Sequence, residues 1–246
     1  MMQGGGPRKQ RLTDQVVAWN TDVAVLTEYR HANSNDLSTM LSNAGLPHHL
    51  AGEDTTGGYA GALIASRFPL TQGNVVLDHP DGPARWLHAK IPHIGWNVVA
   101  CFIPGSSGPT GKQRKDAFWD AVLDSATQLA DEPTVITGDF NTGRHLIDED
   151  GRTFHSADRF EAILDAGWVD GFRSLHGDIK APSWWSPGYN NGFRLDHALI
   201  SAGAPTPTAC RYETTDASGN TICGPAKGRL SDHAAMIIDV PNLNRP

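Results

Sequence analysis

A chain of 246 residues, 39% hydrophobic and 19% charged, can bury a sizeable core, which excludes a disordered polypeptide. Its formal charge of −7 excludes nucleic-acid binding by bulk attraction alone, yet suits carboxylates gathered around a cation. No apolar run approaches the roughly 18 residues of a membrane span, and Met1-Met2-Gln3-Gly4-Gly5-Gly6-Pro7 has no apolar stretch resembling a secretory signal, so a cytoplasmic location is expected.

In chain order, Arg11 to Asn20 reads as a helix with Leu12, Val16 and Trp19 on one face. Asp22 to Thr27 is a buried strand ending at Glu28, and Leu37, Met40, Leu41 and Ala44 mark a second helix stopped by Gly45 and Pro47. Gly61 to Ser66, Trp86 to Ile91 and Asn97 to Ile103 are three strands between turn-rich stretches. Asp116 to Leu129 is a helix, and Thr134 to Thr137 a short buried strand delivering Gly138-Asp139. Arg159 to Ala166 is helical, while Arg194 to Ile200 and Ala234 to Val240 are the last strands. No repeat or linker divides the chain, so a single domain over 1–246 is expected. Neighbouring strands in its middle favour two mixed or antiparallel sheets covered by helices over one doubly wound parallel sheet.

Cys101 lies in an apolar run and reads as a small core residue. Cys210 and Cys223 flank a polar, turn-rich segment, either facing each other across a hairpin or standing as free thiols.

Carboxylates recur at the ends of apolar strands: Glu28 after Ala24-Val25-Leu26, and Asp139 after Val135-Ile136. A strand end fixes a side chain while leaving it open to a cleft. In Gly138-Asp139-Phe140-Asn141, extended backbone would turn Asp139 and Asn141 to one side, where the acid orients a water and the amide holds a phosphate oxygen. The plainer alternative is an Asx-turn closing the strand. Ser231-Asp232-His233 sets a hard oxygen ligand beside an imidazole, and Asp196 in Arg194-Leu195-Asp196 could orient His233. Glu28, Asp139, Asp196 and Asp232 form an oxygen-rich set that favours Mg2+ or Mn2+ over structural zinc. Lys112, Arg114 and Lys115 either touch phosphates or begin a solvated helix.

The order of five segments resembles the endonuclease/exonuclease/phosphatase superfamily: Asp22 to Glu28, Gly61 to Arg67, Gly138 to Asn141, Arg194 to His197 and Ser231 to Ala234. That resemblance implies a four-layered α/β sandwich and divalent-metal phosphodiester hydrolysis. It makes Glu28 and Asp232 metal ligands, Asp139 the group that activates water, and Asn141 a phosphate-positioning residue. His233, paired with Asp196, would stabilise the pentavalent transition state.

Asp158-Arg159-Phe160 with Gly167 to Arg173, and Ser183-Trp184-Trp185-Ser186 leading to Gly192 to Asp196, are similar to the exonuclease III and abasic-site endonuclease branch. The resemblance therefore points to a DNA endonuclease or exonuclease acting as a monomer. Arg67, Phe102, Trp184, Trp185, Phe193 and Arg194 are the expected substrate-binding residues, the aromatic ones either lining a pocket or filling core. RNA, a phospholipid or a small phosphoester remain alternative substrates, and a catalytically impaired nucleic-acid-binding relative is a further alternative.

The sequence departs from the branch at three places. The apolar opening strand is expected to be truncated, its terminal Asn falling on Met1, as a start set too far downstream would produce. Phe102 stands where a Tyr is usual, and Gly105 where an amide is usual.

Overall fold

The computed structural model describes residues 8–31, 36–53, 60–188, 191–224 and 229–244. Its centre is a six-stranded sheet in the order β4 (Thr71–Gln72), β5 (Trp86–Ile91), β6 (Trp96–Phe102), β7 (Thr134–Asp139), β11 (Asp196–Ile200) and β8 (Val169–Asp170). Only β6 and β7 run parallel, so the sheet is mixed.

Alternation along these strands builds two cores. Val99, Cys101, Ile136 and Leu199 pack against Phe118, Trp119 and Val122 of the helix α4 (Gly111–Thr127) and Phe160 and Ile163 of α5 (Ala157–Asp165). Val98, Ala100, Val135 and Ala198 face the other way, toward a second strand layer. That layer holds the sheet β1 (Val23–Tyr29), β3 (Gly61–Ser66), β2 (His48–Ala51) and the hairpin β12 (Ala209–Glu213) with β13 (Ala235–Asp239). Its outer side carries α1 (Lys9–Ala18) and α2 (Leu37–Asn43), whose Val16, Leu37 and Leu41 meet Ala24, Leu63 and Ala65. Helix, sheet, sheet, helix is the four-layered α/β sandwich expected from the sequence. The remaining elements are α3 (Gly82–Arg85), α6 (Gly171–His176), β9 (Trp184–Trp185) and β10 (Gly192–Phe193).

The expected strands at Gly61–Ser66 and Trp86–Ile91 are reproduced residue for residue. The strands β2 and β12, unread in the sequence, hold half-buried polar residues that break the apolar pattern. Cys101, Cys210 and Cys223 are all buried free thiols, so the hairpin carries no disulfide.

The second strand layer is split. Among the described residues β1 pairs only with β3, and β13 only with β12. Between the two lies a cavity of about 830 Å3, lined by Val23 and Val25 of β1, Met236 and Ile238 of β13, Val135 of β7 and Val16 of α1. The expected truncation of an opening strand rests on Met1 to Pro7, which lie outside the described residues. Among the described residues, backbone groups on the second edge of β1 have no neighbouring strand to protect them. In hydrogen–deuterium exchange, half of the β1 amides should therefore exchange faster than those of β3, which is paired on both sides. Equal protection of the two strands would contradict the open edge.

Candidate active site

Three strand ends converge on one cleft. In register, Phe102 of β6 stands opposite Asp139 of β7, and Asp139 opposite Asp196 of β11. Gly138 makes this approach feasible: at φ +144° a Cβ there would lie 2.1 Å from the Cys101 carbonyl. From the second layer, β1 ends in a bulge between Thr27 and Tyr29, where Glu28 is held at φ +61°. A glutamate in left-handed backbone costs energy, and such strain clusters where a side chain must be aimed.

One oxygen each of Asp139 and Asp196 and one nitrogen of His233 lie within 4.8 Å of one another. His233 Nδ1 donates to Asp196 Oδ2 at 2.8 Å. The Asp139 carboxyl is raised to about 7: burial pushes it up most, His233 and the Asn141 N–H pull against this, and the Asp196 and Glu28 carboxylates add to the rise. Burial alone would lower the His233 imidazole, but Asp196, and then Asp139, outweigh it and leave it raised to about 9. Asp196 is half-buried, which opposes its charge, yet His233 and Ser183 hold its carboxyl below the usual range. At neutral pH, His233 is thus a cation locked to an anion, beside an acid poised to take up a proton.

Asp139 and Asn141 come together through a turn, not through strand alternation. The Asn141 backbone N–H donates to Asp139 Oδ1 at 2.8 Å, with Asn141 at φ +51°. This is the Asx-turn alternative, and it serves the site. Asn141 Nδ2 donates to Asp139 Oδ2 at 3.0 Å and to the Ile103 carbonyl at 2.8 Å, so the amide orients the acid. Lys115 is buried and donates from Nζ to the Asn141 carbonyl at 2.5 Å; burial lowers it to about 8. Neither expectation for Lys115, phosphate contact or solvated helix start, describes this internal prop. Arg114 pairs with Asp81 at 2.6 Å.

Two other supports carried no distinctive sequence signal. Arg85, 6% exposed, lies over the Phe102 ring at 4.2 Å and donates from Nη1 to the Phe102 carbonyl at 3.3 Å. The buried Ser183 hydroxyl accepts the Leu195 and Asp196 N–H groups at 2.9 and 3.1 Å, while its carbonyl accepts from Ala234 N–H at 2.7 Å. A serine in a Trp-rich loop gives no hint that it joins the segments carrying Asp196 and His233.

Of the other expected residues, Asp232 adjoins His233 and accepts from Trp184 Nε1 at 3.3 Å, whereas Glu28 approaches Asp139 from β1. Neither contributes an atom to the three-residue cluster. Trp184 and Phe193 are half-exposed, their ring centroids 5.8 Å apart, so neither is a fully buried core residue. Trp185, the next residue on the strand, turns the other way, beside Gly192 and Gly224.

Two expectations are corrected. Arg194 is 1% exposed and bonded to Asp148 Oδ1 at 2.7 Å and to Asp170 Oδ2, so its guanidinium is a structural tie without access to substrate. Arg67 follows β3 at the end that pairs with Val23, opposite from Glu28 along β1, where it bonds Asp22 and Asn20.

The fold and this cleft define a phosphoesterase sandwich, and residues 2–233 match the Endonuclease/Exonuclease/phosphatase family, to which the chain belongs. It is a hydrolytic enzyme of the nuclease and phosphatase type, in a family generally dependent on divalent metal. It is 27% identical over 225 residues to the DNA repair nuclease APEX1 of Danio rerio, covering 82% of this chain and 71% of that protein. It is 26% identical over 188 residues to an exodeoxyribonuclease of Bacillus subtilis, covering 68% and 73%.

Among solved structures, an AP endonuclease from Archaeoglobus fulgidus superposes with a TM-score of 0.78 at 18% identity, covering 95% of this chain and 94% of that one. The 3′ phosphatase NExo from Neisseria, bound to a product DNA hairpin, gives 0.76 at 20% identity, covering 97% and 96%. Among the described residues no helix is long and apolar enough to cross a membrane.

Proposed function

We propose that this chain is a Mg2+- or Mn2+-dependent DNA nuclease that hydrolyses phosphodiester bonds by direct attack of water. The observation that carries this is the cluster of Asp139, Asp196 and His233, a buried acid oriented by Asn141 beside a locked ion pair. The family's relatives named for DNA repair and exodeoxyribonuclease activity support the choice of DNA.

Asp139 takes the proton of the attacking water, its raised affinity for that proton suiting a base that works near neutrality. Asn141 fixes the acid's orientation. His233, cationic and held by Asp196, stabilises negative charge on the non-bridging oxygens as the phosphorus becomes pentavalent. The donor set fits a hard divalent cation: Asp196 and Glu28 each repel the Asp139 carboxylate, which a cation would relieve, and burial keeps the neighbouring Cys101 and Cys223 thiols protonated. Glu28 and Asp232 would hold that ion, which polarises the phosphate and neutralises the leaving oxygen. We read residues 1–246 as one domain acting as a monomer, with three free thiols that fit a reducing cytoplasm.

The test uses a plasmid with a pre-formed abasic site and a linear duplex. Both should be cut with Mg2+, and EDTA should abolish cutting. Cleavage that persists in EDTA, or absence of cleavage of either DNA, overturns this function.

A further inference from the structure

Two strands of the second layer, β1 and β13, each keep one edge without a strand neighbour among the described residues, and the two flank one cavity. Its volume of about 830 Å3 would hold about 28 waters at roughly 30 Å3 each. Packed interiors hold few voids larger than a single water. The side chains around it register the gap. The strand β3, paired on both sides, buries all six of its residues. No residue of β13 is buried, although its Met236, Ile237 and Ile238 are apolar, and Val23, Val25 and Leu26 of β1 are half-buried.

The chemistry of the cavity defines what fits it. Val135 of β7 lines its floor and Val16 of α1 its roof, so an occupant is buried on both faces. The two walls are strand edges, which offer backbone N–H and C=O groups as well as side chains. An acyl chain would fill the volume and leave those groups unpaired. An extended strand pairs with them on both sides, and a strand buried on both faces is a continuous apolar run. Carboxylates mark the two ends, Asp22 just before β1 and Asp196 at the reaction centre, so cationic residues suit the flanks of that run. Within the 246 residues the described apolar strands are already built into sheets, and the stretches outside the described residues hold no apolar run longer than Met1-Met2.

We propose that this slot is a docking site for an extended apolar strand of another polypeptide, which joins β1 to β13 and thereby fixes Glu28 against His233. Glu28 is the last residue but one of β1, and His233 lies two residues before β13. The walls of the slot therefore carry two groups of the reaction centre. A strand hydrogen-bonded to both walls holds them at one spacing. Docking itself is independent of the nuclease function proposed above, whereas its effect on cleavage rests on that function.

The test uses the full chain and an acetylated, amidated peptide, Lys-Val-Ile-Val-Ile-Val-Lys, matched to the seven residues of β1. In EDTA and without DNA, the peptide should slow amide exchange in both β1 and β13 by about tenfold or more. The same peptide N-methylated at alternate residues keeps its side chains but loses the donors of one edge, and should not protect both strands. With Mg2+, the unmodified peptide should raise cleavage of the linear duplex about fivefold or more. Protection of one strand alone or of neither, or equal protection by the methylated peptide or by dodecanoate, overturns the docking site. A peptide-free chain that self-associates in sedimentation with β1 and β13 already protected also overturns it, since a second copy then fills the slot. Protection of both strands with unchanged cleavage overturns the hold on Glu28. Protection of both strands with no cleavage at all, with or without peptide, overturns the nuclease function and leaves the docking site standing.

Discussion

Turnover of the Mg2+-loaded Asp139→Asn variant should fall by about 10²- to 10⁴-fold, the scale of a lost general base, without loss of fold. Asparagine keeps an oxygen to accept the Asn141 N–H and fills the same volume, but takes up no proton at neutral pH. The direction of the stability change separates catalysis from structure. Burial raises the Asp139 carboxyl from 3.8 to about 7, so the folded protein holds that proton more tightly than the unfolded chain. Stability from this group is present below the unfolded value and is lost as pH rises through about 7. Removing the charge should therefore leave the metal-free variant at least as stable as the parent at pH 8.

His233→Ala should be equally inactive but less stable, because the half-buried Asp196 then keeps its charge without its partner. Kinetics on the abasic plasmid together with thermal melts in EDTA check both variants. Asp139→Asn activity within tenfold of the parent would remove Asp139 from its assigned role.

The segments that anchor the site were legible because each sets a polar group at one end of an apolar strand, as with Asp139 after Val135-Ile136 and Asp196 before Ala198-Leu199-Ile200. The register that sets Asp139 beside Asp196 confirmed their meeting. Short-range geometry was misjudged: extended alternation was expected to align Asp139 and Asn141, but Asn141 leaves the strand at φ +51° and reaches the acid through a turn. Arg194 shares a short segment with Asp196, which is why the sequence assigns it to the site. Its own carboxylate partners, Asp148 and Asp170, lie 46 and 24 residues away in sequence, and no local pattern announces such a pairing. Lys115, Arg85 and Ser183 were hidden for the same reason: each acts on a backbone group brought near only by the folded sheet.

Arg194 also marks where the fold is most exposed to a single change. Arg194→Met should destabilise the protein by about 3–5 kcal/mol, the cost of removing one partner from a buried ion pair. Methionine fills the space, but Asp148 and Asp170, both buried, lose the charge that bridges them. Compensation is incomplete: Asp148 retains Arg173, while Asp170 retains the Phe172 and Arg173 N–H groups at the start of α6. Both carboxyls lie below their ordinary value of 3.8 although burial opposes this: Arg194 is the main pull on Asp148, which stands at about 2, while Asp170 is drawn down by His197 first and Arg194 next. A depressed carboxyl stabilises the fold above its unfolded value and loses that contribution as pH falls through its folded one. In urea denaturation the gap between parent and variant should therefore be full at pH 7 and narrow below about pH 4, as Asp148 approaches its folded value of about 2. Arg194→Lys should fall between the two, since one ammonium cannot reproduce bonds to Asp148 and Asp170 together. A gap that stays constant down to pH 2 would mean that packing, and not the ion pairs, accounts for the loss.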